Sequence, residues 1–346
     1  MRLAPGQDPL ALRTRKHNHG AKNKKPRLAG IGKIMKIVFF GSSEFAIPSL
    51  RALLASDHEV VAVVTQPDRK RGRQLKLSSQ PTKVLAAADG IMVFQPDDAS
   101  SHESVRFFKA LNADIFVVVS FGQILSKEVL ELAHYPAINL HPSLLPKYRG
   151  AAPTNWAIIN GDDVTGVTVM KMNQRLDEGD IVLKKEIKID ADDTNITLSE
   201  NLAGIGAETL IEAIDLIGSG KAKFEKQDAL QATYAPKLRK EMGLIDWNEP
   251  AVKIHNKIRG LLPWPGAYTH YNGKVLKVEM TELPDMQDGE DASPGKVVAV
   301  LKDKGVIVRT GSGNIALKYI QLEGKKVLDA DAFVRGHKIE PGFKFP

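Results

Sequence analysis

The residues best suited to chemistry lie in one segment, Ala137 to Pro153, with the sequence AINLHPSLLPKYRGAAP. The apolar pattern predicts a strand over 137–141, and side chains alternate between the two faces of a strand. Asn139 and His141 therefore share a face at the carboxyl end, where a buried parallel strand is expected to be apolar. Departures of this kind tend to mark functional sites, although the same pair could also be hydrogen-bonded into the fold.

A carboxylate for His141 is available in the polar loop Leu176-Asp177-Glu178-Gly179-Asp180. A neighbouring carboxylate favours the protonated imidazole, and an Asn amide beside a protonated His supplies donors for a developing oxyanion. No serine nucleophile pattern accompanies them, and the chain has no cysteine. These residue types therefore indicate acyl transfer between two bound substrates.

A basic segment follows the second predicted strand. It contains a cluster of positive side chains, namely Arg69, Lys70, Arg71, Arg73 and Lys76. A solvated loop would account for the cluster. Its position at the ligand edge of the sheet favours a clamp for a phosphate backbone.

Composition limits the classes of function open to the chain. The 346 residues are 43% hydrophobic and 26% charged, which is ordinary for a globular protein of about two domains. There is no apolar run of about 18 residues, so no membrane span is predicted. The lack of cysteine excludes disulfides and thiolate metal sites. The nine histidines have no metal-ligand spacing, so no metal is expected.

The net charge of +7 is concentrated at the start of the chain. Residues 1–34 hold nine Lys or Arg and one Asp, which gives +8 and leaves −1 for the remainder. This segment has no apolar period and is interpreted as a disordered basic extension. Three origins stay open: a start placed too early with the true start at Met35, a flexible arm, or a transit peptide. The overall basic charge therefore does not indicate nucleic-acid binding by the body of the protein.

Strand and helix patterns alternate from Met35 to about residue 218, and this alternation predicts the scaffold. Strands are expected at 36–40, 59–65, 91–95, 114–121 and 137–141, with helices between them and a long helix over 198–217. The expected fold class is α/β, a Rossmann-like, mostly parallel sheet with helices on both faces. Ligands bind such sheets at the carboxyl ends of the strands, near a switch in strand order.

The first strand ends in Gly41-Ser42-Ser43, which matches neither the dinucleotide fingerprint nor a phosphate loop. A dinucleotide-dependent oxidoreductase is therefore not expected. The segment is interpreted as a tight turn into a capped helix, or as a backbone site for an anionic group at the helix N-terminus.

The alternation ends after residue 222. A lysine-rich polar stretch over 223–240 predicts a linker, and residues 241–346 predict one helix and several short strands separated by turns such as Asn272-Gly273. A small barrel or sandwich is the expected second domain. The expected domains are thus the extension 1–34, a catalytic domain 35–222, a linker 223–240 and a C-terminal β domain 241–346.

The central segment resembles the signature of the folate-dependent formyltransferases. The residues that carry the resemblance are Asn139-Leu-His141-Pro-Ser-Leu-Leu-Pro146, the following Tyr148-Arg149-Gly150, and Leu176-Asp177-Glu-Gly179. Features that resemble the branch acting on methionyl initiator tRNA are Thr65-Gln-Pro-Asp68 with its basic loop, Gly150-Ala-Ala-Pro153 with Trp156, and Pro263-Trp-Pro-Gly266. The likeness runs from about Met35 to the C-terminus, with small departures at Ser42-Ser43 and Pro142.

The resemblance implies a set of ligands and of roles. The formyl donor would be 10-formyltetrahydrofolate, used as a co-substrate, and the acceptor would be the α-amine of methionine on aminoacylated initiator tRNA. Asn139 and protonated His141 would stabilise the oxyanion, and Asp177 would orient His141. The folate would be bordered by the backbone of Ser143, Leu144, Leu145 and Pro146.

The same resemblance implies how tRNA would be held. The C-terminal domain would be a small OB-like barrel that helps to bind tRNA, and the tRNA backbone would be gripped by Arg69, Lys70, Arg71 and Arg73. A cytoplasmic enzyme with no membrane association and no evident protein partner is expected.

Two other functions stay open. A formyltransferase for a small amine, such as a nucleotide sugar or a ribonucleotide, would keep the Asn–His–Asp trio but would have less need of the basic loop and the second domain. A non-enzymatic tRNA-binding protein would not need a polar pair at the end of a buried strand. The Leu145-Pro146 bond lies in a tight turn and is a candidate for the cis form.

Overall fold

A computed structural model describes residues 33–71, 76–286 and 293–346 of the protein. Most of the basic extension predicted for 1–34 lies outside the described residues, and so does Arg73. Lys33, which the sequence-based boundary assigns to that extension, is described. Its ammonium lies 2.8 Å from the carboxylate of Asp114.

The N-terminal half is built around one large sheet. Its strands, with those of the antiparallel pair β3–β4 and the parallel pair β8–β11, are β1 (Lys36–Gly41), β2 (Glu59–Val64), β3 (Arg69–Arg71), β4 (Lys76–Ser78), β5 (Val93–Phe94), β6 (Ile115–Val119), β7 (Ile138–His141), β8 (Arg149–Gly150), β9 (Val164–Lys171), β10 (Ile181–Lys188) and β11 (Tyr234–Ala235). The large sheet has the order β5-β2-β1-β6-β7-β9-β10. The five strands from β5 to β7 are parallel to one another. Strand β9 is antiparallel to both of its neighbours, β7 and β10.

The chain builds this sheet outward from β1 to β5 and then returns to place β6 on the other side of β1. The switch in strand order therefore lies between β1 and β6, where the carboxyl ends of the strands leave a crevice for ligands. β6 is buried at all of its positions, as expected for a central parallel strand with both faces covered.

Helices cover both faces of the sheet, which confirms the predicted α/β class. They are α1 (Ile47–Ala55), α2 (Pro81–Ala88), α3 (His102–Ala110), α4 (Lys127–Leu130), α5 (Pro153–Asn160) and α6 (Asn195–Gly218). Phe39 and Val117 share one apolar cluster with α1 and α6. Their chain neighbours Phe40 and Val118 point the other way, into a cluster with α3. This alternation places one core on each side of the sheet.

The C-terminal half is an antiparallel β domain with two helices. Its elements are α7 (Ala251–Gly260), β12 (Ala267–Tyr271), β13 (Lys274–Glu282), β14 (Val297–Leu301), β15 (Gly305–Arg309), β16 (Asn314–Leu322), β17 (Leu328–Asp329) and α8 (Ala330–Gly336). The strand order is β12-β13-β16-β15-β14, with β17 paired to β16. Ile254 of α7, Phe333 of α8 and Leu317 of β16 pack into one core. A C-terminal β domain is thus confirmed.

The structure contains elements that the sequence pattern did not predict. The basic segment forms the two-stranded hairpin β3–β4, in which Arg69 pairs with Ser78. In the predicted linker, β11 pairs with β8 beside the signature segment. Across the described part of the chain, no helix has both the length and the apolar character needed to cross a membrane.

Candidate active site

His141 ends strand β7 at the carboxyl edge of the sheet. Its backbone pairs with Thr168 of β9, and only 4% of its surface is exposed. The Nε2 atom lies 2.9 Å from the carbonyl oxygen of Tyr148. Because a carbonyl can only accept, Nε2 carries a proton and donates it in this contact. The other ring nitrogen is thereby left to face a different group.

That group is Asp177. The Nδ1 atom of His141 lies 3.8 Å from Oδ2 of Asp177, whose surface is also almost entirely buried. The same carboxylate oxygen accepts a hydrogen bond of 2.8 Å from the backbone N–H of Gly150. Residues 36 positions apart in the chain are therefore brought together, as an ion pair once the imidazole is protonated.

Asn139 lies two residues before His141 on the same strand. Its side chain is partly exposed, whereas the neighbours Ile138 and Leu140 are buried. Within the described parts of the chain, the Asn139 amide has no hydrogen-bond partner. The amide is thus positioned on the side-chain face of His141 with its donors available to a ligand.

Tyr148 holds the carbonyl that His141 contacts. Its φ of 61° is left-handed, a conformation that bulky residues adopt only when the surroundings impose it. The hydroxyl donates to Asp162 at 2.9 Å and accepts from Asn160 at 3.0 Å. Burial, with the nearby Asp162 carboxylate, raises the pKa of Tyr148 to about 12. The phenol therefore stays neutral and fixes the position of its own backbone.

The four residues predicted to border the folate form a turn that is largely satisfied by the protein. The Ser143 carbonyl accepts from the Thr168 hydroxyl at 2.7 Å, and that hydroxyl accepts from the Leu145 N–H at 3.1 Å. Ser143 and Leu145 are fully buried, while Leu144 and Pro146 are partly exposed. The Leu145-Pro146 bond is cis. A ligand at this turn would thus meet the exposed sides of Leu144 and Pro146 and the backbone between them.

The predicted tRNA-binding residues are placed in part. Arg69 is exposed at the start of β3, Lys70 and Arg71 continue that strand, and Arg73 lies outside the described residues. Asp68 anchors the base of the hairpin through contacts of 2.7 Å to Lys83 and 2.9 Å to Gln95. The hydrogen bond from Lys83, followed by that from Gln95, lowers the pKa of Asp68 to about 2.

The turn after β1 is engaged by the fold. The Ser42 N–H donates to the Ser120 carbonyl at 3.2 Å, and the Ser42 hydroxyl accepts from the Gln66 N–H at 3.0 Å. These bonds join the ends of β1, β2 and β6 at the switch in strand order. They favour the interpretation of this segment as a structural turn over an anion site.

Three polar residues near His141 escaped the sequence analysis. Arg149, only 4% exposed, directs its guanidinium to the side chain of Gln227. Thr233 accepts from the Tyr148 N–H at 2.9 Å. Gln227 and Thr233 belong to the predicted linker, where polar residues without periodicity give no local signal of a contact. The buried Arg149 could have been found from its place in the signature segment.

Two further features bound the chemistry of the site. In residues 33–71, 76–286 and 293–346, no three His, Asp or Glu side chains are grouped so that they could hold a metal ion. A separate cavity of about 630 Å³ is lined by Trp156, Leu238, Lys253 and neighbouring residues. None of the predicted site residues lines it.

Comparison with protein families gives two matches that together cover most of the chain. Residues 35–214 match the family described as formyl transferase. Residues 237–338 match the family described as formyl transferase, C-terminal domain.

Curated relatives are similar over almost their whole length. The methionyl-tRNA formyltransferase of Caldanaerobacter subterraneus subsp. tengcongensis is 47% identical over 310 residues, which cover 89% of this chain and 99% of the relative. The methionyl-tRNA formyltransferase of Agathobacter rectalis is 43% identical over 311 residues, with coverage of 90% and 99%.

Solved structures share the fold at lower identity. HypX from Aquifex aeolicus in complex with tetrahydrofolic acid aligns with a TM-score of 0.58 and 18% identity, over 90% of this chain and 51% of HypX. An N-formyltransferase from Helicobacter canadensis, in complex with folinic acid and dTDP-3-aminofucose, aligns with a TM-score of 0.60 and 20% identity. That alignment covers 82% of this chain and 98% of the other.

Proposed function

Because the chain belongs to the formyl transferase family and is a formyltransferase, we propose that its acceptor is the amino group of methionyl initiator tRNA and its donor is 10-formyltetrahydrofolate. The observation that carries the proposal is the pairing of His141 with Asp177 at the end of a buried strand. The relatives that bear the methionyl-tRNA name cover both halves of the chain. We propose a cytoplasmic location as well.

The reaction needs a stabilised negative charge and no protein nucleophile. The amine nitrogen attacks the formyl carbon, a C–N bond forms, and the carbonyl oxygen becomes an oxyanion. The oxyanion then re-forms the carbonyl as the bond from the formyl carbon to the folate nitrogen breaks, and water carries the proton lost by the attacking amine to that nitrogen. Positive charge and aligned donors at the oxyanion are usually the largest contribution to such a reaction.

His141 and Asn139 supply that stabilisation in the proposed mechanism. With Asp177 at 3.8 Å, the protonated form of His141 has a counter-ion on the side of Nδ1. Its charge acts on the oxyanion, and the Asn139 amide donates from the same face of β7. The Nε2 proton is donated to the Tyr148 carbonyl oxygen, which lies 2.9 Å from Nε2. Direct donation to the substrate therefore requires the substrate oxygen to replace that carbonyl.

The two substrates are proposed to meet at this edge of the sheet. The turn of Ser143, Leu144, Leu145 and Pro146 would border the folate, chiefly through its partly exposed residues. The β3–β4 hairpin with Arg69, Lys70, Arg71 and Arg73 would hold the tRNA backbone, since the body of the protein has no general positive charge. The C-terminal β domain would provide further tRNA contacts. The domain limits 35–222, 223–240 and 241–346 remain proposals.

Acceptor competition tests this function. The purified protein is given 10-formyltetrahydrofolate with charged initiator tRNA, a nucleotide amino sugar or glycinamide ribonucleotide, and kcat/KM is measured for each acceptor. We expect kcat/KM to be at least about 100-fold higher for the tRNA, because its many contacts with the protein orient one amine for attack. Equal or better use of a small amine would instead support the alternative function.

A further inference from the structure

The side chain of Gln227 joins three segments around the Asp177 loop. Its Nε2 donates at 2.8 Å to the carbonyl oxygen of Asp177 and at 2.8 Å to that of Gly179. Its Oε1 accepts from Nε and Nη2 of Arg149 at 3.0 and 2.8 Å. The amide thus uses both donors and its acceptor in one partly buried position.

Arg149 continues this contact on the other side of the loop. Its Nη1 lies 3.3 Å from the carboxylate of Glu178, the residue after Asp177. The guanidinium is almost fully buried, so each of its contacts is shielded from solvent. Gln227 and Arg149 therefore bind the loop 177–179 at its carbonyls and at one carboxylate.

The loop needs such restraint because Asp177 has an unusual backbone. Its φ of 55° lies in the left-handed region, which costs a non-glycine residue free energy unless the surroundings compensate. The position of the Asp177 carboxylate, and hence its distance to His141, depends on this backbone. The carbonyl that Gln227 binds belongs to the same residue.

The linker also sets the second partner of that carboxylate. Ala235 pairs with Gly150, whose N–H donates to Asp177. Gly150 has a φ of 120°, and a Cβ there would lie 2.7 Å from the Ala235 carbonyl oxygen. Only glycine allows this close approach. The segment from Gln227 to Ala235 therefore contacts two neighbours of the Asp177 carboxylate: the backbone of its own loop and the backbone of Gly150.

We propose that Gln227 is a positioning residue, whose two N–H donors hold the Asp177 loop so that the carboxylate faces His141. Gln227 touches neither substrate in this account and acts through Asp177. The proposal rests on the proposed role of the His141–Asp177 pair in formyl transfer. It gives a residue of the predicted linker a role in positioning the proposed His141–Asp177 pair.

Two substitutions separate this role from simple stabilisation. Gln227→Met keeps the length of the side chain and loses every hydrogen bond. Gln227→Glu keeps an acceptor for Arg149, with added charge, but loses both donors to the loop. Gln231→Met is the matched control, because Gln231 lies in the same segment, is exposed, and its side-chain amide donates a hydrogen bond of 2.9 Å to the nearby Asp228.

The measurement is kcat and KM with the amine acceptor that the wild-type enzyme uses, together with the melting temperature. We expect kcat to fall about 10- to 100-fold in Gln227→Met and in Gln227→Glu, with both KM values within about 2-fold of wild type. Gln227→Glu should recover part of the melting temperature that Gln227→Met loses, because its pairing with Arg149 is opposed by repulsion between its carboxylate and the two carbonyl oxygens. Gln231→Met should match wild type in all of these quantities.

A purely structural role predicts that activity follows stability. Recovery of kcat in Gln227→Glu along with its melting temperature would overturn the proposal, and so would an unchanged kcat in Gln227→Met. The wild-type reaction in the same assay tests the proposed acceptor separately. If the wild type formylates a small amine but not methionyl-tRNA, the proposed tRNA acceptor is rejected. The Gln227 variants are then compared with the wild type on the small amine.

Discussion

Two of the contacts that residues 223–262 make with the earlier part of the chain differ in kind. The linker places Gln227 and β11 against the Asp177 loop, where bonds end on groups next to His141. Helix α7 and the residues after it instead contact the start of α6. The Arg259 guanidinium donates to the carbonyl of Asp193, just before α6, and the amide of Asn195, the first residue of α6, donates to the Leu262 carbonyl at 3.0 Å. In the proposed mechanism the first contact restrains Asp177, whereas the second joins the two halves of the chain.

The α7 contact also holds a partly buried titratable group outside the proposed chemistry. Nδ1 of His255 lies 2.9 Å from the Thr281 hydroxyl of β13. Burial, reinforced by the nearby Arg259 charge and opposed by the Ala191 backbone and Glu282, lowers the pKa of His255 to about 4. A partly buried histidine that stays neutral supports the fold at neutral pH, whereas His141 lies 3.8 Å from a carboxylate. The two histidines thus differ in their surroundings, and only His141 has a role in the proposed chemistry.

The largest effect expected from this comparison is on turnover. His141→Ala removes the charge and the donor at the proposed oxyanion, so we expect kcat to fall by about 10²- to 10⁴-fold. The variant should still unfold cooperatively, and its free energy of unfolding at pH 7.5 should fall by less than the free energy that corresponds to the loss in kcat. Steady-state formylation and urea unfolding measure the two quantities. A folded variant with near wild-type turnover would make His141 a structural residue.

The next effect concerns stability and should appear at the α7 contact. Unfolding restores an ordinary pKa of about 6.5 to His255, so between about pH 6.5 and 4 the unfolded chain binds more protons than the folded one. The contribution of His255 to the free energy of unfolding is therefore fully present above pH 6.5 and is lost as the pH falls from about 6.5 to about 4. We expect acidification from pH 7.5 to 5 to cost the wild type about 2 kcal/mol more than it costs His255→Gln.

Urea unfolding of both proteins at the two pH values measures this difference, and kcat at pH 7.5 should be the same in both. Equal acid sensitivity of wild type and His255→Gln would show that His255 does not titrate as described.

A smaller effect is expected where the tRNA would be held. Arg73→Ala removes one proposed phosphate contact, so kcat/KM for tRNA should fall and its log–log dependence on salt should become shallower by about 0.7–0.9. The KM for folate should not change, because the substitution leaves the folate turn intact. Kinetics at several salt concentrations test this. An unchanged salt slope would make the hairpin an ordinary solvated turn.

The smallest effect is expected from the start of the chain. Deletion of residues 1–32 removes no predicted apolar pattern and keeps the Lys33–Asp114 ion pair. We expect kcat, both KM values and the melting temperature to stay within error of the full chain. Loss of cooperative unfolding in the shortened protein would show that the extension contributes to the fold.

Sequence patterns were sufficient for the features that rest on periodicity. β6 is a run of apolar residues and is buried throughout, and the alternation over 138–141 placed Asn139 and His141 on one face. The polar loop 176–180 was expected to supply a carboxylate for His141, and the resemblance to the folate-dependent formyltransferases, rather than the pattern, selected Asp177 within it.

Features that depend on individual long-range hydrogen bonds were not predictable from the pattern. Gln227 lies in a polar stretch with no period, yet its amide reaches a loop about 50 residues earlier in the chain. The Tyr148 carbonyl faces His141 because of a left-handed backbone, which a tyrosine does not signal. The β3–β4 hairpin was missed because Arg and Lys give a weak strand signal.

The proposal that Gln227 acts through His141 is tested most directly by a double-mutant cycle on the rate of the chemical step. Single-turnover formyl transfer is measured at saturating substrates for wild type, His141→Ala, Gln227→Met and the double variant. If Gln227 acts through Asp177 and His141, Gln227→Met should slow the wild type about 10- to 100-fold and should have almost no further effect once His141 is alanine. Losses that multiply fully in the double variant would contradict the account.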